Sequence, residues 1–84
     1  MKFKASVKVM LKQSVLDPQG ATLERALKSM GHQNVDSIRV GKLIELILDE
    51  DDEKKAEAAV DAWADELLAN PVMENYSYTI ESIL

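Results

Sequence analysis

From Phe3 to Leu11 the odd positions hold Phe3, Ala5, Val7, Val9 and Leu11, while Lys4, Ser6, Lys8 and Met10 fall between them. A period of two sends every apolar side chain of an extended strand to one face. Such a strand persists only when other strands flank it and an apolar layer covers that face. The rest of the chain must therefore supply both flanking strands and a cover.

Two stretches have the spacing of helices that could serve as cover. Over about Gln19–Met30, Leu23, Ala26, Leu27 and Met30 recur at helical intervals, and Gly31 stands where a left-handed C-terminal cap is wanted. Over about Asp51–Ala69, Ala56, Ala59, Val60, Trp63 and Leu67 form one stripe. Asp51, Asp52 and Glu53 suit the positive end of that helix, which stops before Asn70-Pro71. Tyr76, Tyr78 and Ile80 then alternate with Ser77, Thr79 and Glu81 in a last strand.

Between the helices, Val35–Asp49 has two readings. As a hairpin turning at Gly41-Lys42, it places Val40 opposite Leu43 and Ile38 opposite Glu45. The order is then β-α-β-β-α-β, an α+β fold of ferredoxin-like type with two helices on one face of an antiparallel sheet. As one long strand bent at Gly41, the same residues would cross into a partner's sheet. Leu43–Leu48 is apolar on both faces, and two helices cover only one side of a small sheet, so both readings expect a dimer.

Composition narrows the function. A chain of 84 residues forms one domain, and at this size folding buries only roughly 60% of the unfolded surface, so self-association would help it. Fifteen acidic against ten basic residues give a formal charge of −5, which opposes binding to nucleic acid or to an anionic membrane surface. Lysine is concentrated on the first strand and acid between Glu45 and Glu66, either as two solvated faces or as unlike patches suited to docking. The run "MKFKASVKVML" intersperses lysine with apolar residues, unlike a signal peptide, and no stretch approaches the ~18 apolar residues of a membrane span. A cytoplasmic protein is expected.

Catalytic groups are not evident. The chain has no cysteine, and His32, its only histidine, lies in a polar loop without a nucleophile in any recognisable motif beside it. The run "DEDDEKK" lacks the alternating ligands and central glycine of a calcium loop. Gly41-Lys42 lacks the flanking residues of a phosphate loop, and Trp63 is expected in the core. Neither a metal nor a cofactor is expected to bind.

Three segments, "LKQSVLDPQG" (Leu11–Gly20), "SIRVGK" (Ser37–Lys42) and "LLANPVMENYSYTI" (Leu67–Ile80), together resemble the PurS family, the small subunit of phosphoribosylformylglycinamidine synthase. Leu43 and Ile44 stand where that family is usually more aromatic. The resemblance implies a noncatalytic homo-oligomer, dimer or tetramer, that assembles with a glutamine amidotransferase subunit and a large synthetase subunit. The complex uses ATP, Mg and glutamine to make formylglycinamidine ribonucleotide in purine biosynthesis, and the small subunit is expected to bridge the other two and to support ammonia transfer.

The same motifs supply the candidate interface residues: Asp17, Pro18, Gln19, Gly20, Arg39, Gly41, Lys42, Asn70, Pro71 and Glu74. Asp17, Pro18 and Gly20 are also what a tight turn requires, whereas Gln19 has no evident part in making one. A sheet arginine such as Arg39 needs a partner if buried, and a carboxylate across a subunit interface would provide it. Asn70-Pro71 doubles as a helix stop. Two rival classes share the element order: an RNA-binding module, which needs exposed aromatics on its central strands, and a small-molecule-sensing dimeric regulatory domain.

Overall fold

The computed structural model describes residues 1–83. The alternating run forms β1 (Lys2–Leu11), and the chain continues through α1 (Pro18–Ser29), β2 (Gly41–Asp49), α2 (Glu53–Trp63), a π-helical turn over Ala64–Leu68, and β3 (Glu74–Ile83). Strand order in the antiparallel sheet is β2-β1-β3, so β1 is flanked on both sides. Lys2 pairs with Asp49 on one side and with Ile83 on the other.

The period-two pattern places the core. Phe3, Ala5, Val7 and Val9 are buried under α2, which presents Ala56 and Val60 and then Ala64 of the π-turn, at intervals of four. These small residues let the helix lie close to the sheet, while Ile44, Leu46, Tyr76, Tyr78 and Ile80 flank the contact. The opposite face carries Lys4, Ser6 and Lys8 beside Leu43, Glu45 and Ile47, and among the described residues no helix covers it. Lys4 meets Glu45 at 3.8 Å and Lys2 meets Asp49 at 3.6 Å, so part of the segregated charge is paired across strands.

Helix ends follow their sequence signals. Asp17 caps α1 with Pro18 in the first turn, and Asp52 caps α2 by accepting from the Lys55 N–H at 2.8 Å. At the far end of α1, Gly31 has φ +95°; its N–H donates to the Lys28 carbonyl and the His32 N–H to that of Leu27. This pair of bonds is the glycine-terminated helix end anticipated from sequence.

The α+β class and antiparallel sheet stand, with the elements of this chain in β-α-β-α-β order. Gly41-Lys42 does not reverse the chain. Gly41 pairs with Met10 and Lys42 with Val9, so β2 begins there, and Val35–Val40 approach it without pairing to any described strand. A hairpin would have set Val40 against Leu43; β1 instead supplies the neighbour to Leu43, through Lys8.

The second difference concerns α1. Gly20 is its one buried residue, and Leu23 and Met30 are 49% and 70% exposed. The helix therefore projects beyond the sheet it was expected to cover. Overall extents are 52 × 29 × 14 Å and the radius of gyration is 16.6 Å, against about 12 Å for a compact chain of this length.

Candidate docking site

At the end of the sheet marked by Leu11 and Gly41, the three sequence motifs meet. Asp17, buried at the start of α1, accepts the Gly20 N–H at 2.9 Å through one carboxylate oxygen and the Val40 N–H at 2.7 Å through the other. One side chain thus caps a helix and anchors the segment that leads into β2. These two backbone donors, the Gly20 N–H first, hold the Asp17 carboxyl below its usual range, and the Arg39 charge adds to the effect.

The approach of the two segments depends on Gly20. A methyl group added to its Cα would stand 2.0 Å from the Ile38 carbonyl oxygen, which only glycine avoids. Gly41 is similarly confined, because a Cβ there would meet Met10 Sδ and the Val9 carbonyl. Among the described residues, Arg39 has no carboxylate within ion-pair distance. Its guanidinium donates to the Leu11 carbonyl at 2.7 Å and to that of Lys12 at 3.0 Å, tying the end of β1 to the segment before β2.

The third motif is also tied locally. Asn70 Oδ1 accepts the Val72 N–H at 3.0 Å, its carbonyl accepts the Met73 and Glu74 N–H groups, and its own N–H donates to Glu74 Oε1 at 2.7 Å. Asn70 and Glu74 therefore close the turn between the π-turn and β3, with Pro71 exposed at its apex.

A cavity of about 430 Å³ lies where the motifs converge. Val9, Leu11 and Val40 give it apolar walls, while Pro18, Gln19, Gly41, Lys42 and Glu74 reach its rim. Asp17, also at this cavity, accepts from the Gly20 and Val40 N–H groups and Glu74 from that of Asn70, whereas Gln19 and Lys42 are exposed. The cavity can receive an apolar group with polar contacts at its edge. Among the described residues, no group of three His, Cys, Asp or Glu is placed to hold a metal ion.

Of the ten candidate residues, Asp17, Pro18, Gln19, Gly41, Lys42 and Glu74 share this cavity. Gly20 and Arg39 support it from behind, and Asn70 and Pro71 belong to the neighbouring turn. Sequence reasoning missed the exposure of Leu16, Leu67 and Val72, which are 79%, 82% and 78% exposed. Their apolar character gave no warning, since it also fits a core position.

Comparison with known proteins gives a consistent result. Residues 4–82 match the sequence profile of PurS, described as phosphoribosylformylglycinamidine (FGAM) synthase. The chain is 38% identical over 81 residues to phosphoribosylformylglycinamidine synthase subunit PurS of Methanocaldococcus jannaschii, covering 96% of this chain and 98% of that one. It is 40% identical over 82 residues to the Bacillus subtilis subunit, with coverage of 98% and 96%. In three dimensions it is similar to Thermus thermophilus PurS, with a TM-score of 0.87, 36% identity and complete coverage of both chains. A chain in the structure of PurLQS from Thermotoga maritima aligns with a TM-score of 0.88 at 34% identity, over 96% of this chain and 99% of that one.

Proposed function

Since the chain belongs to the PurS family, the small subunit of phosphoribosylformylglycinamidine synthase in purine biosynthesis, we propose that it works as a docking subunit without a catalytic site of its own. It bridges a glutaminase subunit and an ATP-dependent synthetase subunit of the same enzyme in the cytoplasm, and it supports passage of ammonia between them. The Thermotoga maritima relative is described within PurLQS, which supports such an assembly. ATP, Mg and glutamine are bound by the partners.

The observation that carries this reading is the convergence of the three family motifs round one apolar cavity, with Gln19 and Lys42 exposed at its rim. A surface of that composition suits binding another protein, because apolar walls supply affinity and edge groups supply register. Self-association belongs to the same proposal. It is supported by the exposed Leu23 and Met30 of α1, the exposed Leu43 and Ile47 of β2, and the extended Val35–Val40 segment. A second copy could cover all three.

The test reconstitutes the enzyme with and without this subunit and measures synthesis from glutamine and from added ammonia. Glutamine-dependent synthesis is expected to fail without the subunit, while ammonia-dependent synthesis persists, since free ammonia bypasses transfer. Equal loss of both rates, or loss of neither, would contradict a role in transfer.

A further inference from the structure

The chain leaves β1 at Leu11 and re-enters the sheet at Gly41, which pairs with Met10 at the same end of that strand. Everything between, α1 included, is an excursion with two places to put its apolar residues. A turn at Gly41-Lys42 would fold Val35–Val40 back along the outer edge of β2, which pairs with no described strand, and bring α1 onto its own sheet beside α2. A straight path through Gly41 carries both away, to another molecule.

Glycine at this position permits the turn. Two side chains at the base of the excursion oppose it. In a two-residue hairpin the Val40 N–H would donate to the Leu43 carbonyl; Asp17 takes that donor instead, at 2.7 Å. The Arg39 guanidinium donates to the Leu11 and Lys12 carbonyls at 2.7 and 3.0 Å, which holds Arg39 beyond the end of β1. A hairpin would move it past β2, two strand spacings or about 10 Å from the line of β1, and break both bonds.

The hairpin would also misplace the charge. Its register sets Arg39 opposite Ile44, which pairs with Val7 and packs against the core under α2. A guanidinium would then stand among apolar side chains between the sheet and its helices, a costly position. On the straight path the same group is half-buried and bonded to carbonyls.

We propose that Arg39 is the lock of a hinge at Gly41: it holds the chain straight and so gives α1 and Val35–Val40 to a second copy instead of to their own sheet. Exchange of an element between copies is governed by such hinges. The lock rests on the self-association proposed above and names the residue that directs it.

Sedimentation equilibrium of Arg39→Val tests this. Valine loses both carbonyl bonds and suits the helix-covered side of a hairpin, so the dissociation constant of the homo-oligomer is expected to rise at least about tenfold. Circular dichroism should remain that of a folded α+β chain. In the monomer so formed, the Ile38 N–H, opposite Glu45 in the hairpin, should gain protection from hydrogen exchange. Arg39→Lys keeps a charge unsuited to the covered side and should remain associated. The proposal is overturned if Arg39→Val associates within about twofold of wild type, or if it yields a monomer with Ile38 unprotected. Unfolding of Arg39→Val also overturns it, since the closed form has no need of the lock, as does equal dissociation of Arg39→Lys. A wild-type protein that is itself monomeric removes the self-association reading and the lock together, whereas an associated wild type with an associated Arg39→Val removes the lock alone.

Discussion

At the scale of single residues, the turn that looked divided between structure and recognition is divided by side chain. Asp17, Gly20 and Arg39 serve their own chain, while Gln19 and Lys42 are left exposed beside them. Gly20→Ala forces its methyl group into the Ile38 carbonyl and should cost at least about 1–3 kcal/mol, read as a lower melting temperature. Gln19→Ala should leave melting unchanged and weaken assembly; a lowered melting temperature would return Gln19 to the turn. Asp17 makes a pH prediction. Its folded carboxyl titrates below the ordinary value of about 3.9, so its contribution is complete above that pH and is lost as pH falls through the folded value. Asp17→Asn keeps one acceptor but turns an amide donor toward a backbone N–H. The variant should melt well below wild type at pH 7, and the gap should narrow below about pH 4. Asp49, held low by the terminal amine and Lys2, keeps some acid sensitivity in both proteins. A gap of equal size at pH 7 and pH 3 would show that the charge of Asp17 is not what holds the clasp.

At the scale of elements, β1, the Gly31 helix end and the stop before Asn70 were legible because each depends on nearby residues. Three features were not. The Gly41-Lys42 pair has the chemistry of a hairpin turn, but what overrides it is a register with β1, more than thirty positions away in sequence, which no local pattern encodes. Trp63 and Leu67 fit a regular helical stripe, but the buried line runs through Ala56, Val60 and Ala64 and leaves Trp63 beside it, while the wide turn at Ala64–Leu68 leaves Leu67 exposed. The apolar face of α1 predicts burial, yet Leu23 and Met30 are exposed, and among the described residues that face finds no sheet. Of the candidate site, the residue types were visible and their convergence was not, because Asp17 meets Val40 only in the folded chain. Leu23→Ser and Met30→Ser together should therefore leave the sheet intact by circular dichroism while weakening self-association. If sedimentation is unchanged in that double variant, something other than a second copy covers α1.

At the scale of the whole molecule, an 84-residue chain with a radius of gyration of 16.6 Å leaves a large share of its apolar residues in water. Sedimentation equilibrium is expected to give at least a dimer at micromolar concentration, and a stable, strictly monomeric protein would contradict that. The position of β1 has a further consequence, for biosynthesis. The central strand is synthesised before both of its partners, Gly41–Asp49 and Glu74–Ile83. Contacts this distant in sequence close slowly. A nascent chain must therefore carry Phe3, Val7 and Val9 unsheltered at least until α2 has been made. The lysines alternating with them then act before there is any fold to stabilise, as the charges that keep a waiting strand from pairing with the wrong one.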